Sequence, residues 1–148
     1  MKADNYIKIE FPSRSINEGF ARAAAAAFAA QLDPTMEELG DIKTAVSEAV
    51  TNCIVHAYPD ELGKITMRLR ILAGGELEIS IKDTGRGIED VARAREPLFT
   101  TGGEERSGMG FTIMESFMDK LRVRSKPGKG TTVTMTRAIA RRGAQAHD

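Results

Sequence analysis

The sequence predicts an α/β fold in which helices accompany antiparallel strands, on three observations. Apolar and polar side chains alternate at Tyr6-Ile7-Lys8-Ile9-Glu10-Phe11, the period of a strand with one buried face. Two stretches between Ile16 and Ala57 carry apolar residues at helical spacing. Two further alternating runs, Lys64 to Leu72 and Glu76 to Asp83, flank Gly74-Gly75, which reads as an antiparallel hairpin.

Taken in order, the opening strand ends at Pro12. Ser15 followed by Glu18 has the spacing of a capping box, and Phe20, Ala24, Ala27 and Phe28 then fall on one face of a helix expected from Ile16 to Leu32. Asp33-Pro34-Thr35 breaks that helix and starts a second, expected from Met36 to Ala57 with Pro59 beyond its end. Its buried stripe reads Leu39, Ile42, Val46, Ala49, Val50, Cys53 and Ala57. After the hairpin, about 25 residues from Asp83 to Gly110 show no sustained period, a length typical of lids and binding segments. A short helix through Phe111, Met114 and Met118 follows, then strands at Leu121–Ser125 and Thr131–Thr136 joined by Lys126-Pro127-Gly128-Lys129-Gly130. The tail from Arg141 onward is expected to fray.

Composition narrows the classes. The 148 residues carry 21 Lys+Arg against 21 Asp+Glu, with 41% hydrophobic and 28% charged residues, which fits one globular domain spanning 1–148. Zero net charge removes a whole-protein electrostatic case for nucleic acid or an anionic membrane, leaving only local patches such as Arg137, Arg141 and Arg142. A single cysteine, Cys53, rules out an intramolecular disulfide and multi-cysteine zinc patterns and fits a reducing compartment. With no secretory leader and no apolar run of about 18 residues, the expected location is the cytoplasm, with no membrane and no direct nucleic-acid partner.

Four clusters can carry chemistry. Glu48 and Asn52 lie one helical turn apart, on a face turned away from the apolar stripe, and His56 continues their line. Such a face is ordinarily solvated; chemically, an amide oxygen suits Mg²⁺ beside phosphates, and a carboxylate one turn away can take a proton from a hydroxyl. Asp83-Thr84-Gly85-Arg86-Gly87 ends a strand; it reads as a turn, or as an acceptor for an exocyclic amine beside glycines that let a flat ring or phosphate approach. Gly108-Met109-Gly110 precedes a helix and places free N–H groups at its positive end. No Gly-Lys-Ser/Thr follows, and the Rossmann glycine spacing is absent. Arg106 can clamp a phosphate, Thr131 and Thr132 suit a strand, and Met109, Met114 and Met118 suit core filling.

In the order Glu48-x-x-x-Asn52, Asp83-x-Gly85-x-Gly87, Gly108-x-Gly110 and Thr132, these elements resemble the Bergerat-type ATP-binding fold of the GHKL superfamily. Gln31-Leu32-Asp33-Pro34-Thr35, Ser47 to Asn52 and Arg106 to Thr112 are similar to its sporulation anti-sigma serine kinases. The resemblance implies a two-layer α/β sandwich, with helices on one face of a mixed, largely antiparallel sheet, and ATP or ADP beneath a lid near 95–110. It assigns Asp83 to the adenine amino group with Thr132 and water, Gly85 and Gly87 to the adenine-side wall, and Asn52 to Mg²⁺. Gly108, Gly110 and Arg106 would enclose the phosphates, and Glu48 would be the general base toward a seryl hydroxyl. It further implies a homodimer that binds a sporulation sigma factor of the sigma-F type and phosphorylates an anti-anti-sigma factor, with Glu18 and Arg22 on the first helix as partner contacts. The chain departs from the family at Gly102-Gly103-Glu104-Glu105, a shorter and more flexible stretch, and at Ala57, where many relatives have Gly. The alternative readings are a stress-response anti-sigma kinase with another sigma factor and a nucleotide-gated sequestering module with little kinase activity.

Overall fold

The computed structural model describes residues 3–96 and 109–139. Strand β1 (Ala3–Pro12) leads into helix α1 (Asn17–Ala29), a 3₁₀ turn (Ala30–Leu32) and helix α2 (Met36–Asn52), which continues as a π turn (Cys53–Ala57). Strands β2 (Lys64–Leu72) and β3 (Glu76–Asp83) form the hairpin; then come short helix α3 (Val91–Ala94), helix α4 (Gly110–Phe117) and strands β4 (Lys120–Lys126) and β5 (Gly130–Ala138).

The strands form one sheet in the order β1-β2-β3-β5-β4. A mixed sheet was the expectation, but each pairing among the described residues is antiparallel. Alternation sends Ile65, Met67, Leu69 and Ile71 of β2, Leu77, Ile79 and Ile81 of β3, Val123 of β4 and Val133 and Met135 of β5 to one face, where all are buried. The helices cover that face, so the core lies between two layers. The opposite face carries Arg68, Lys82, Arg122 and Arg124 among threonines, so the zero net charge conceals a cationic side.

Helix α2 follows its predicted phase, burying Ile42, Val46, Ala49 and Val50, with Cys53 on the same side. Its N-terminus is closed by a full capping box: Glu38 N–H donates to Thr35 Oγ1 at 3.0 Å and Thr35 N–H to Glu38 Oε1 at 2.8 Å. The capping box expected at Ser15 and Glu18 is not formed. Glu18 N–H bonds to the Ser15 carbonyl at 3.1 Å, while the Glu18 carboxylate turns to Arg22 and to Ser47 of α2. The buried face of α1 also differs from expectation. Ala21, Ala25, Phe28 and Ala29 face the core, and Phe20 is 57% exposed, with Ala27 exposed as well. Small alanines let α1 lie close against α2, a contact that Phe20 at the interface would hold apart.

A polar pair ties the far end together. Arg137 of β5 reaches Asp41 of α2 at 2.9 Å and caps α4 through the Phe117 carbonyl. Both side chains are largely covered. Asp41→Ala leaves the guanidinium without its carboxylate and should lower stability by about 2 kcal/mol, read as a reduced denaturant midpoint at unchanged slope.

Candidate functional site

A cavity of about 680 Å³ opens between the C-terminal half of α2, the end of β3 and the first residue of α4. Its floor is Asp83. The side chain is only 5% exposed, because the last inward position of β3 lies beneath the π turn and beside β5. One oxygen, Oδ1, accepts from the backbone N–H groups of Gly85 at 2.9 Å and Thr131 at 3.2 Å. The other, Oδ2, accepts from the Cys53 thiol at 3.4 Å. Burial pushes the Asp83 carboxyl above the usual carboxylate range, against the lowering effect of the Gly85, Cys53 and Thr131 donors. Burial first, then the adjacent Asp83 charge and the hydrogen bond to it, hold the Cys53 thiol well above its ordinary value. Cys53 is therefore an inert, protonated thiol.

The turn after Asp83 is shaped by close approach. A Cβ at Gly85 would lie 2.3 Å from the Ala57 carbonyl oxygen, and Arg86 N–H donates to that oxygen at 3.2 Å. Gly85 thus packs against the π turn, whereas Gly87, at φ +76°, lines the cavity. Tyr58 fixes the same turn: its hydroxyl accepts from Thr84 N–H at 2.7 Å and donates to the Lys64 carbonyl at 2.8 Å. The π turn that carries Cys53, His56 and Ala57 is closed by Tyr58 N–H to the Cys53 carbonyl at 3.1 Å. Such turns recur at functional sites, and this one aims His56 and Ala57 at the cavity.

The opposite wall gathers the α2 pair. A Cβ at Gly110 would lie 3.2 Å from Oδ1 and Nδ2 of Asn52 and 3.5 Å from Oε1 of Glu48. Glu48, Asn52 and the N-terminus of α4 therefore converge on one point, with Asn52 and Gly110 lining the cavity. Glu18 and Arg22 lie outside it. Arg22 meets Glu18 at 3.0 Å and Ser47 Oγ at 3.3 Å, which ties α1 to α2 one residue before Glu48.

One expected residue is misplaced. Thr132 pairs with Lys82 and Arg124 on the open face of the sheet, so its side chain points away from the cavity. Thr131, in register with Asp83, lines the cavity instead. The phase of Val133 and Met135, both inward, carried that information, because residues two apart share a face. The Cys53–Asp83 contact left no sequence signal, since it joins residues thirty positions apart. Arg106, Gly108 and most of the segment expected as a lid lie outside the described residues.

The arrangement offers a buried acceptor at one end, an amide and a carboxylate beside a helix N-terminus at the other, and room for a nucleotide-sized ligand between. Residues 11–137 match the histidine kinase-like ATPase domain family. The chain is 59% identical over 142 residues to the anti-sigma F factor of Caldanaerobacter subterraneus subsp. tengcongensis, covering 95% of this chain and 99% of that protein. It is 53% identical over 137 residues to the anti-sigma F factor of Clostridium perfringens strain 13, covering 92% and 98%. Among solved structures it resembles the RsbU and RsbW domains of Rv1364c from Mycobacterium tuberculosis, with a TM-score of 0.68 at 21% identity over 91% of this chain and 32% of that one. It also resembles the histidine kinase domain of the Erythrobacter litoralis EL346 blue-light activated histidine kinase, with a TM-score of 0.59 at 22% identity over 88% and 65%.

The buried carboxylate has a consequence for stability. Between the ordinary carboxyl pKa and the raised value in the fold, the native state holds a proton that the unfolded chain has lost, so stability falls as pH rises through that window. The penalty is complete above the raised value. Asp83→Asn should therefore leave the ligand-free protein at least as stable as wild type at pH 7, with the difference shrinking as pH is lowered, as followed by thermal unfolding across pH.

Proposed function

Because the chain belongs to the histidine kinase-like ATPase domain family and, within it, to the anti-sigma F factors, we propose that it binds a sporulation sigma factor and phosphorylates an anti-anti-sigma factor on serine with ATP. The observation that carries this reading is the convergence of Glu48 and Asn52 on Gly110, across a cavity whose floor is the buried Asp83. In it Asp83 accepts from the adenine amino group, with Thr131 rather than Thr132 beside it, and Gly87 contributes to the wall. Gly85 lets the turn close on the π turn. Asn52 would hold Mg²⁺, which shields the phosphate charge when bound; a metal that keeps most of its waters needs few protein ligands. The α4 N-terminus at Gly110 faces the phosphates, with Arg106 and Gly108 as further contacts.

Glu48 accepts the seryl proton as the serine oxygen attacks the γ-phosphorus. The bond from that phosphorus to the β,γ-bridging oxygen breaks, and ADP leaves. The partner enters over α1, where Glu18 and Arg22 present charge beside Ser47. The protein acts as a homodimer. Strand β1 is an edge strand, and Tyr6 at 69%, Phe20 at 57% and Ile16 at 81% exposure supply apolar area for a second copy. The cytoplasm suits a chain whose one cysteine is a buried free thiol and in which no described helix is long and apolar enough to cross a membrane.

The test is transfer of labelled phosphate from Mg-ATP to candidate anti-anti-sigma proteins. Glu48→Gln should retain ATP binding and lose about 10²–10⁴-fold in transfer rate; normal turnover would reject the general base. Tight ATP binding by wild type with no transfer to any serine would instead favour a nucleotide-gated sequestering module. Asp83→Asn should weaken ATP binding by about tenfold or more, measured by calorimetry.

A further inference from the structure

The contact between Cys53 and Asp83 joins the single cysteine of the chain to the floor of the cavity. Its geometry divides the work of the two carboxylate oxygens. Oδ1 is occupied by two backbone N–H groups, from Gly85 at 2.9 Å and Thr131 at 3.2 Å. Oδ2 has no backbone donor; among the described residues the thiol is its one protein partner. Oδ2 is thus the oxygen with acceptor capacity to spare. A carboxylate can only accept, so the sulfur donates, and a thiol is a weak donor that orients an acceptor without consuming its strength. Cys53 lies at the start of the π turn and is 4% exposed, so the sulfur is held in place by the backbone that also lines the cavity.

We propose that Cys53 is a positioning residue for base recognition: its thiol holds Oδ2 of Asp83 turned into the cavity, where it accepts from the exocyclic amine of an aminated purine. Preference for adenine over a purine without that amine then depends on Cys53 as well as on Asp83. The inference rests on the cavity being the ATP site, and it is distinct from the packing role that a buried cysteine on the α2 stripe also has. A packing role affects any nucleotide that fills the cavity; positioning of Oδ2 affects only a ligand with an amine to donate.

The experiment compares the dissociation constants of ATP and of purine riboside triphosphate, which lacks the amine, for the full-length wild type, Cys53→Ala and Asp83→Asn. Cys53→Ala should weaken ATP about five- to tenfold and leave the amine-free nucleotide within about twofold of wild type. Equal weakening of both nucleotides, or no change in either, overturns the proposal. Unchanged ATP affinity in Asp83→Asn overturns the adenine reading itself, a separate failure. A second measurement stands even if Cys53→Ala does not fold. With one cysteine in the chain, the infrared S–H stretching band reports this contact alone. The band should move toward that of a free thiol in Asp83→Asn, and a band at the same position in wild type and Asp83→Asn overturns the contact.

Discussion

A carboxylate removed from water at the end of a strand is a demanding thing to build, and much of the local architecture follows from it. Asp83 must find donors for its charge inside the fold, since an unpaired buried carboxylate is strongly destabilising. Two of the donors are backbone N–H groups of Gly85 and Thr131, so the chain on both sides of the site must come within hydrogen-bond reach. That closeness excludes side chains. A Cβ at Gly85 would meet the Ala57 carbonyl at 2.3 Å, and one at Gly130, where φ is +118°, would meet the Asp83 carbonyl at 2.2 Å. The glycines around the site are thus consequences of the buried acid, as is Tyr58, whose hydroxyl bridges Thr84 and Lys64.

Helix α2 performs a second task along its length. One side of it packs Ile42, Val46, Ala49 and Val50 into the core, and the other presents Glu48 and Asn52 to α4. The rigid, buried side fixes the position of the polar side. At Asn52 the α-helix gives way to the π turn, and Cys53, His56 and Ala57 of that turn all line the cavity. Spaced by three and four, these residues would share a face about 100° wide in a regular helix as well, so their spacing alone brings them to one wall. The π turn meets the Asp83 turn directly, where the Ala57 carbonyl accepts from Arg86 N–H at 3.2 Å.

How much of this was legible in the sequence varies with how much phase each segment carried. Helix α2 has large apolar residues spaced by three and four, so the phase of its buried face was readable, although fully buried Ala45 was missed and Leu39 and Ala57 are only partly buried. Helix α1 has an unbroken run from Ala21 to Ala27 apart from Arg22, and alanine marks no face. Phase there rested on Phe20 and Phe28, which at eight residues apart differ by about 80°; only Phe28 enters the core. Thr131 and Thr132 illustrate the same limit in a strand, where identical neighbours point to opposite faces and only Val133 and Met135 decide between them. The order of the motifs and the β2–β3 hairpin were readable because each rests on spacing along the chain, whereas the pairings of β1 with β2 and of β3 with β5 join strands that no turn signal connects. The contacts of Cys53 with Asp83 and of Arg137 with Asp41 were not readable either, because they join distant residues.

The features that make the cavity are also ones that lower stability. Burial makes the charged form of Asp83 less favourable in the fold than in water and raises its pKa, despite three donors. The glycines at 87, 128 and 130 hold positive φ, a conformation that costs a flexible unfolded chain more entropy than any other residue would lose. Compensation comes from elsewhere: the apolar interface between the helices and one face of the sheet, the capping box at Thr35 and the Arg137–Asp41 pair. The division is spatial. The stabilising contacts lie along α2 up to Asn52 and across the inner sheet face, and the strained, polar ones gather where β3, β5 and the π turn meet. A fold arranged this way holds a buried acceptor at one end of the cavity without giving up the packed layer that fixes it.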